Sequence, residues 1–185
     1  MEKTEALLGA YRRQVNLPWR SDLSGAERVW MAVYPPELER RVRARLIDFE
    51  SATRAEGHGW AAHDVTDAFS RWLAGQDYRD AYYAEPSLLE PALGEFLSAL
   101  EAQIGVTFAT VGNDPNGVVA LVGVACLFPM VRVSTLLQRL APSVPGRLLV
   151  LFPGTFERGN YRLLDAHDGW NYLATPITIP EGDPL

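Results

Sequence analysis

The order of apolar patterns along the chain predicts an α/β fold. The expected form is a three-layer sandwich with a mostly parallel sheet, helices on both faces, and a C-terminal antiparallel hairpin at the edge. Three observations carry this expectation. Short runs rich in β-formers alternate with stretches of helical periodicity, the order that sets strands side by side with crossovers between them. Two of the runs, Val118 to about Ala125 and Arg147 to Phe152, are almost continuously apolar, as strands covered on both faces are. Near the C-terminus two strand-like pieces, Tyr161 to Asp165 and Trp170 to Ala174, flank Asp168-Gly169, a hairpin turn signal.

A first helix is expected from Glu5 to about Val15, with Thr4 as its N-cap and Leu7, Leu8 and Tyr11 on one face. Pro18 and the stretch Ser21 to Gly25 end it, and Arg28 to Tyr34 reads as the first strand. Pro35-Pro36 opens a long helix to about Ala55, on which Leu38, Val42, Leu46 and Phe49 share a face. Its other face carries Glu37 with Arg41 and Glu39 with Arg43, both spaced and ordered to pair. Gly59 to Val65 reads as a second strand, and Thr66 caps a short helix carrying Phe69, Trp72 and Leu73. A tyrosine-rich segment (Tyr78, Tyr82, Tyr83) precedes a helix marked by Leu89, Leu93, Phe96, Leu97, Leu100 and Ile104. Ser87 with Glu90 resembles a capping box for it, although Pro91 would remove an early hydrogen bond. The polar Asn113 to Gly117 turn leads into the apolar strand from Val118. A helix from Ser134 or Thr135, with Thr135 and Gln138 as a capping box, ends at Pro142, and the strand Arg147 to Phe152 runs into Pro153-Gly154.

The 185 residues suit one domain, 1–185, with a loose tail from about residue 178. Hydrophobic residues make up 48% and charged residues 22%, which sets the chain apart from disordered sequences. With 17 Lys and Arg against 23 Asp and Glu, it lacks the basic excess of a sequence-independent nucleic-acid binder. One cysteine, Cys126, allows no intrachain disulfide and no cysteine-based zinc site. At the end of an apolar strand, with no histidine or cation near it in sequence, it reads as a buried structural thiol. No secretory pattern follows the first residues, and the apolar run Val118 to Val131 is too short to cross a bilayer, so a cytoplasmic location is expected.

Catalytic patterns are scarce. No glycine-rich phosphate loop follows any strand, and no Gly-x-Ser-x-Gly elbow is present. His63 and Asp64 alternate on a strand and so face opposite sides, which disfavours a shared metal; His58 lies just before them, and His167 sits in the hairpin turn. In a parallel sheet the polar residues beyond the strand C-termini are the default site. Here these are Asp64 and Asp67 with Thr66, then Arg132, then Glu157, Arg158 and Asn160 with Thr155. Such a cluster binds an anion or places a water, or it forms a structural ion-pair network; the network is preferred. A second candidate set is aromatic: Trp19, Tyr82, Tyr83, Trp170 and Tyr172 fall in or near loops and edges, where such side chains serve as interface anchors. No catalytic residue, metal ligand or cofactor-binding residue is assigned.

Several strings resemble the BrxB family of bacterial BREX phage-exclusion systems. They are Leu17-Pro18-Trp19, Ser24-Gly25-Ala26-Glu27-Arg28-Val29-Trp30, Gly57-His58-Gly59-Trp60 and Asp64-Val65-Thr66-Asp67-Ala68-Phe69. Arg132-Val133-Ser134, Gly146 to Val150, Phe152-Pro153-Gly154, Asn160 to Asp165 and Asp168 to Ala174 continue the likeness. It runs from about residue 4 to residue 178, leaving out the stretch between Leu100 and Val118, and His167 stands where an arginine is expected. The resemblance implies a cytoplasmic accessory protein of antiviral defence without established catalytic residues. Its implied partner is PglZ, a protein with an alkaline-phosphatase-like domain, in a complex that methylates host DNA and blocks phage replication. A non-catalytic adaptor without cofactor is therefore the leading expectation. The alternatives are a nucleic-acid-binding accessory using Arg40, Arg41, Arg43 and Arg45 or Arg158 and Arg162, and a cryptic hydrolase using the strand-end cluster.

Overall fold

The computed structural model describes residues 2–164 and 169–180. Helix α1 (Lys3–Asn16) buries Leu7, Leu8, Tyr11 and Val15, a spacing that places all four on one stripe. Its N-cap is Glu2, and Thr4 instead lies inside the first turn, buried, with its hydroxyl lacking a hydrogen-bond partner among the described residues. Strand β1 (Val29–Tyr34) is buried throughout. Pro35-Pro36 ends it and opens a single 3-10 turn. The long helix expected next is two helices, α2 (Glu39–Ala44) and α3 (Leu46–Ala55). Arg45 separates them at φ −102° and ψ 14°, its guanidinium drawn to Glu5 and Asp48 at 2.6 Å each. Strand β2 (Gly59–Asp64) follows, then α4 (Ala68–Ala74), whose N-cap is Asp67 and not Thr66.

The tyrosine-rich segment forms α5 (Arg79–Ala84), and Pro86–Ala92 is a 3-10 helix in which Pro91 is tolerated. The apolar periodicity is realised in α6 (Leu93–Thr110), which buries Phe96, Leu100, Ile104 and Phe108. Ser87 does not cap it; its hydroxyl donates to Glu85. Strand β3 (Gly117–Val122) ends earlier than expected because Gly123 turns the chain at φ 83°. The following 3-10 turn, Val124–Leu127, swings Cys126 outward, so the thiol is exposed and not buried. Helix α7 (Val133–Leu140) begins at the N-cap Arg132, which replaces the capping box expected at Thr135.

Strand β4 (Arg147–Glu157) extends through Pro153-Gly154, where a turn was expected. It is followed by β5 (Asn160–Leu163), β6 (Trp170–Asn171) and β7 (Thr175–Thr178). The main order is β2-β3-β4-β1-β7. β2 with β3, β3 with β4, β4 with β1 and β1 with β7 run parallel, whereas β4 with β5 and β5 with β6 run antiparallel. The fold is α/β with a mixed sheet.

Two placements differ from expectation. The antiparallel pieces do not line an edge of the main sheet: they attach to the far end of β4, where Gly154 to Glu157 outrun β1 and β3 and take β5 as their partner. The edge beside β1 is instead β7, in a segment expected to lie just past the last strand. The turn expected at Asp168-Gly169 falls partly outside the described residues, as do His167 and the tail beyond residue 180.

Alternation along the strands divides the core in two. Val29, Met31, Val33, Val119, Leu121, Leu148, Val150 and Phe152 meet the buried faces of α6 and α7. Trp30, Ala32, Tyr34, Val118, Ala120, Val122, Leu149 and Leu151 meet α1, α2 and α3. Close packing at the strand starts depends on Gly146, where a Cβ would overlap the Gly117 carbonyl oxygen.

Candidate functional site

The strand C-termini come first. Asp64, the last residue of β2, accepts from the Arg43 guanidinium at 2.5 Å and from the backbone N–H and hydroxyl of Thr66 at 2.9 and 2.5 Å. Arg43 also donates to the Thr66 hydroxyl at 2.7 Å and lies 3.7 Å from Glu39, its partner one turn back on α2. The Tyr34 hydroxyl at the end of β1 donates to Glu39 at 2.6 Å. Partial burial pushes the Asp64 carboxyl up, but its Thr66 hydrogen bonds and the Arg43 charge outweigh that and hold it below the usual carboxylate range. Burial, then the Glu39 carboxylate, raises the Tyr34 phenol. Asp64 therefore pairs with Arg43 from α2; no ion pair among the described residues joins it to the arginines after β3 and β4.

The other members of the predicted cluster stand apart. Asp67 faces Arg71 at 3.7 Å within α4. Arg132 is exposed at the start of α7. Glu157, Arg158 and Asn160 form the exposed tip between β4 and β5, with Glu157 opposite Asn160 in register and Arg158 at φ 51°. Sequence reasoning paired Glu39 with Arg43 but missed that Arg43 would reach Asp64, because the reach depends on α2 lying over the end of β2. On the opposite side of β2, the His63 ring lies 2.7 Å from the Thr107 hydroxyl of α6. Burial lowers its pKa, against the pull of neighbouring Asp64. Among the described residues no group of three or more His, Cys, Asp and Glu converges as metal ligands would. No helix among the described residues is long and apolar enough to cross a membrane.

The arginines of the α2–α3 segment are largely matched by acids. Arg41 lies 3.5 Å from Glu2, Arg45 bridges Glu5 and Asp48, and Arg54 pairs with Glu50 at 2.7 Å. Arg40 is exposed beside them. Neutralised in this way, the face offers little of the unopposed positive charge that phosphate backbones require.

The predicted aromatic set divides three ways. Trp170 is half-buried against Phe152 and Tyr161, with ring centroids 5.5 and 6.1 Å away, and the Tyr172 hydroxyl donates to the Leu137 carbonyl at 3.3 Å. Both fasten the C-terminal ribbon to the core. Trp19 is half-buried at the other end of the sheet, stacked on His58 at 3.7 Å and edge-on to Trp30 at 5.4 Å. Tyr82 and Tyr83 lie on α5. Between Leu73 and Phe96 no side chain is buried, so α5 and the following 3-10 helix pack on each other as an arm outside both halves of the core. Tyr83 is 64% exposed on this arm, and it is joined by Tyr78 at 72% and Leu88 at 46%, neither of which was among the predicted anchors. Asp77, Asp80, Glu85, Glu90 and Glu95 against Arg79 make the arm acidic.

No curated protein and no solved structure matches the chain. One family profile does, described as BREX protein BrxB, over residues 86–177. That span runs from the 3-10 helix of the arm through α6, β3, α7 and β4 into β7, and so takes in the middle of the sheet. It takes in the strings quoted from Arg132 to Ala174, while those between Leu17 and Phe69 lie before it: the chain belongs to the BrxB family of BREX proteins.

Proposed function

We propose that the protein is a non-catalytic accessory subunit of a BREX phage-defence system that binds PglZ and helps assemble the complex that methylates host DNA and blocks phage replication. The observation that carries this reading is the arm from residue 74 to residue 95. An α-helical segment whose side chains are all at least partly exposed gains little from its own fold, and exposed Tyr78, Tyr83 and Leu88 have the character of anchors awaiting a partner surface. The surrounding carboxylates suit a partner with a basic rim. Membership of an accessory BREX family supports the defence setting.

The test is size-exclusion chromatography with light scattering of this chain and the PglZ of its own operon, each at micromolar concentration. A stoichiometric complex is expected, weakened by about tenfold or more in the variant Tyr83→Ser/Leu88→Ser. Neither side chain belongs to either half of the buried core, so the thermal unfolding midpoint of the variant is expected to stay close to the wild-type value. Separate elution of the two wild-type proteins overturns the reading. A salt-sensitive DNA shift by the isolated chain in that case transfers the role to nucleic acid.

A further inference from the structure

The N-terminal ends of the strands enclose a cleft of about 220 Å³ lined by Trp19, Arg20, Ser21, Arg28, Asn116 and Arg147, with Pro115 and Pro145 as walls. Arg147, the first residue of β4, is only 5% exposed. A buried guanidinium ordinarily has a carboxylate beside it. Among the described residues Arg147 instead donates to two backbone carbonyls, Gly146 and Arg20, both at 3.0 Å, which leaves it N–H donors to spare. It lies 4.8 Å from the centre of the Trp19 ring and 5.8 Å from that of Trp30. Arg28 lines the same cleft and is also tied to carbonyls, those of Ser21, Leu23, Val144 and Pro145. Carbonyl dipoles orient a guanidinium but do not cancel its charge. Burial and the neighbouring Arg28 both bear against the charged form of Arg147.

We infer that this cleft binds a compact phosphate dianion, free or as the terminal group of a small monoester, held between Arg147 and Arg28 with Arg20, Ser21 and Asn116 at its rim. Two positive charges with no carboxylate between them among the described residues call for a dianion, and a tetrahedral oxyanion accepts donors from several directions at once. The cleft offers no platform for a base, because the Trp19 faces are taken by His58 and by the Arg147 guanidinium. Arg20 reaches the cleft on an exposed side chain whose present partner, Asp22 at 2.7 Å, is equally exposed and readily exchanged.

The experiment is a calorimetric and thermal-shift titration of the full chain with inorganic phosphate, against sodium chloride at matched ionic strength. Saturable binding and a rise in unfolding midpoint with phosphate alone are expected. Arg147→Lys keeps the charge but loses the fork and should weaken binding about tenfold, while Arg20→Ala, which removes no buried contact, should weaken it several-fold. Should Arg147→Lys fold poorly, the Nε–H resonance of Arg147 in the wild type gives a second readout and should move with phosphate. Three results overturn the inference: equal responses to phosphate and chloride, a phosphate affinity unchanged by Arg20→Ala with no movement at Arg147, or binding of a short DNA strand that phosphate does not displace.

Discussion

At the residue scale, His63 and Thr4 carry the clearest consequences. His63 is half-buried between β2 and α6, and burial depresses its pKa below the ordinary 6.5. Below that value the unfolded chain takes up the proton before the folded one does, so stability present at neutral pH is lost as pH falls through the folded pKa. Urea unfolding at pH 7.5 and 5.5 should show this loss in the wild type and a smaller one in His63→Gln, which retains an amide to meet Thr107. The Asp64 carboxylate is held low by its partners and acts in a separate window: its contribution is complete above its unfolded value of 3.8 and disappears only in stronger acid. Thr4 makes the opposite kind of prediction. A buried hydroxyl with no partner among the described residues costs free energy, and an isosteric methyl removes the cost. Thr4→Val should raise stability by about 1 kcal/mol in urea unfolding, whereas a threonine serving as N-cap would lose about that much on the same change.

At the scale of elements, the arm and the core helices should separate in amide hydrogen exchange. Amides of α5 and the 3-10 helix, with no buried side chain over them, should exchange orders of magnitude faster than those of α6 around Leu100 to Phe108. Equal protection in the isolated chain would mean that the arm is covered after all. The same contrast bounds what can be read from sequence. The spacing of Phe96, Leu100 and Ile104 announces a helix because burial and period agree, and the apolar runs of β3 and β4 announce strands covered on both faces. β7 gives no such signal: Thr175-Pro176-Ile177-Thr178 has one buried apolar side chain and a proline, which a strand accepts only at an edge. Pro153-Gly154 misleads in the other direction, since Pro153 is the last residue of β4 to pair with β1 and Gly154 the first to pair with β5. Among the candidate sites, the partner of Asp64 was hidden because α2 is brought to β2 by tertiary packing. The Arg147 cleft was hidden because sequence reasoning looked beyond the strand C-termini, where parallel sheets usually place their ligands.

For the molecule as a whole, closure of the sheet depends on its last strand. β7 pairs with the interior strand β1, buries Ile177 and touches α1. A chain ending at Ala174 should lose about 2–4 kcal/mol, from the apolar burial of Ile177 and the lost ladder, as read by urea unfolding. It would also leave the edge of β1 open to other chains. Concentration-dependent association of the truncated chain, visible by light scattering and absent from the full chain, is the accompanying expectation. An unchanged midpoint would show that β7 adds nothing to the stability of β1.

The strand order has a further consequence for how the chain is made. β1 is complete by Tyr34, yet its two neighbours are β4 and β7, over a hundred positions later: Val29 lies opposite Leu148, and Trp30 opposite Thr175. On a ribosome, a wholly apolar strand emerges and has no native partner until more than a hundred further residues have been synthesised. α1 and the α2–α3 pair can shield it on one side, but its hydrogen-bonding edges stay open over that interval. Nascent chains of this protein are therefore natural clients of chaperones that hold exposed strands, and productive folding is expected to be largely post-translational and slow.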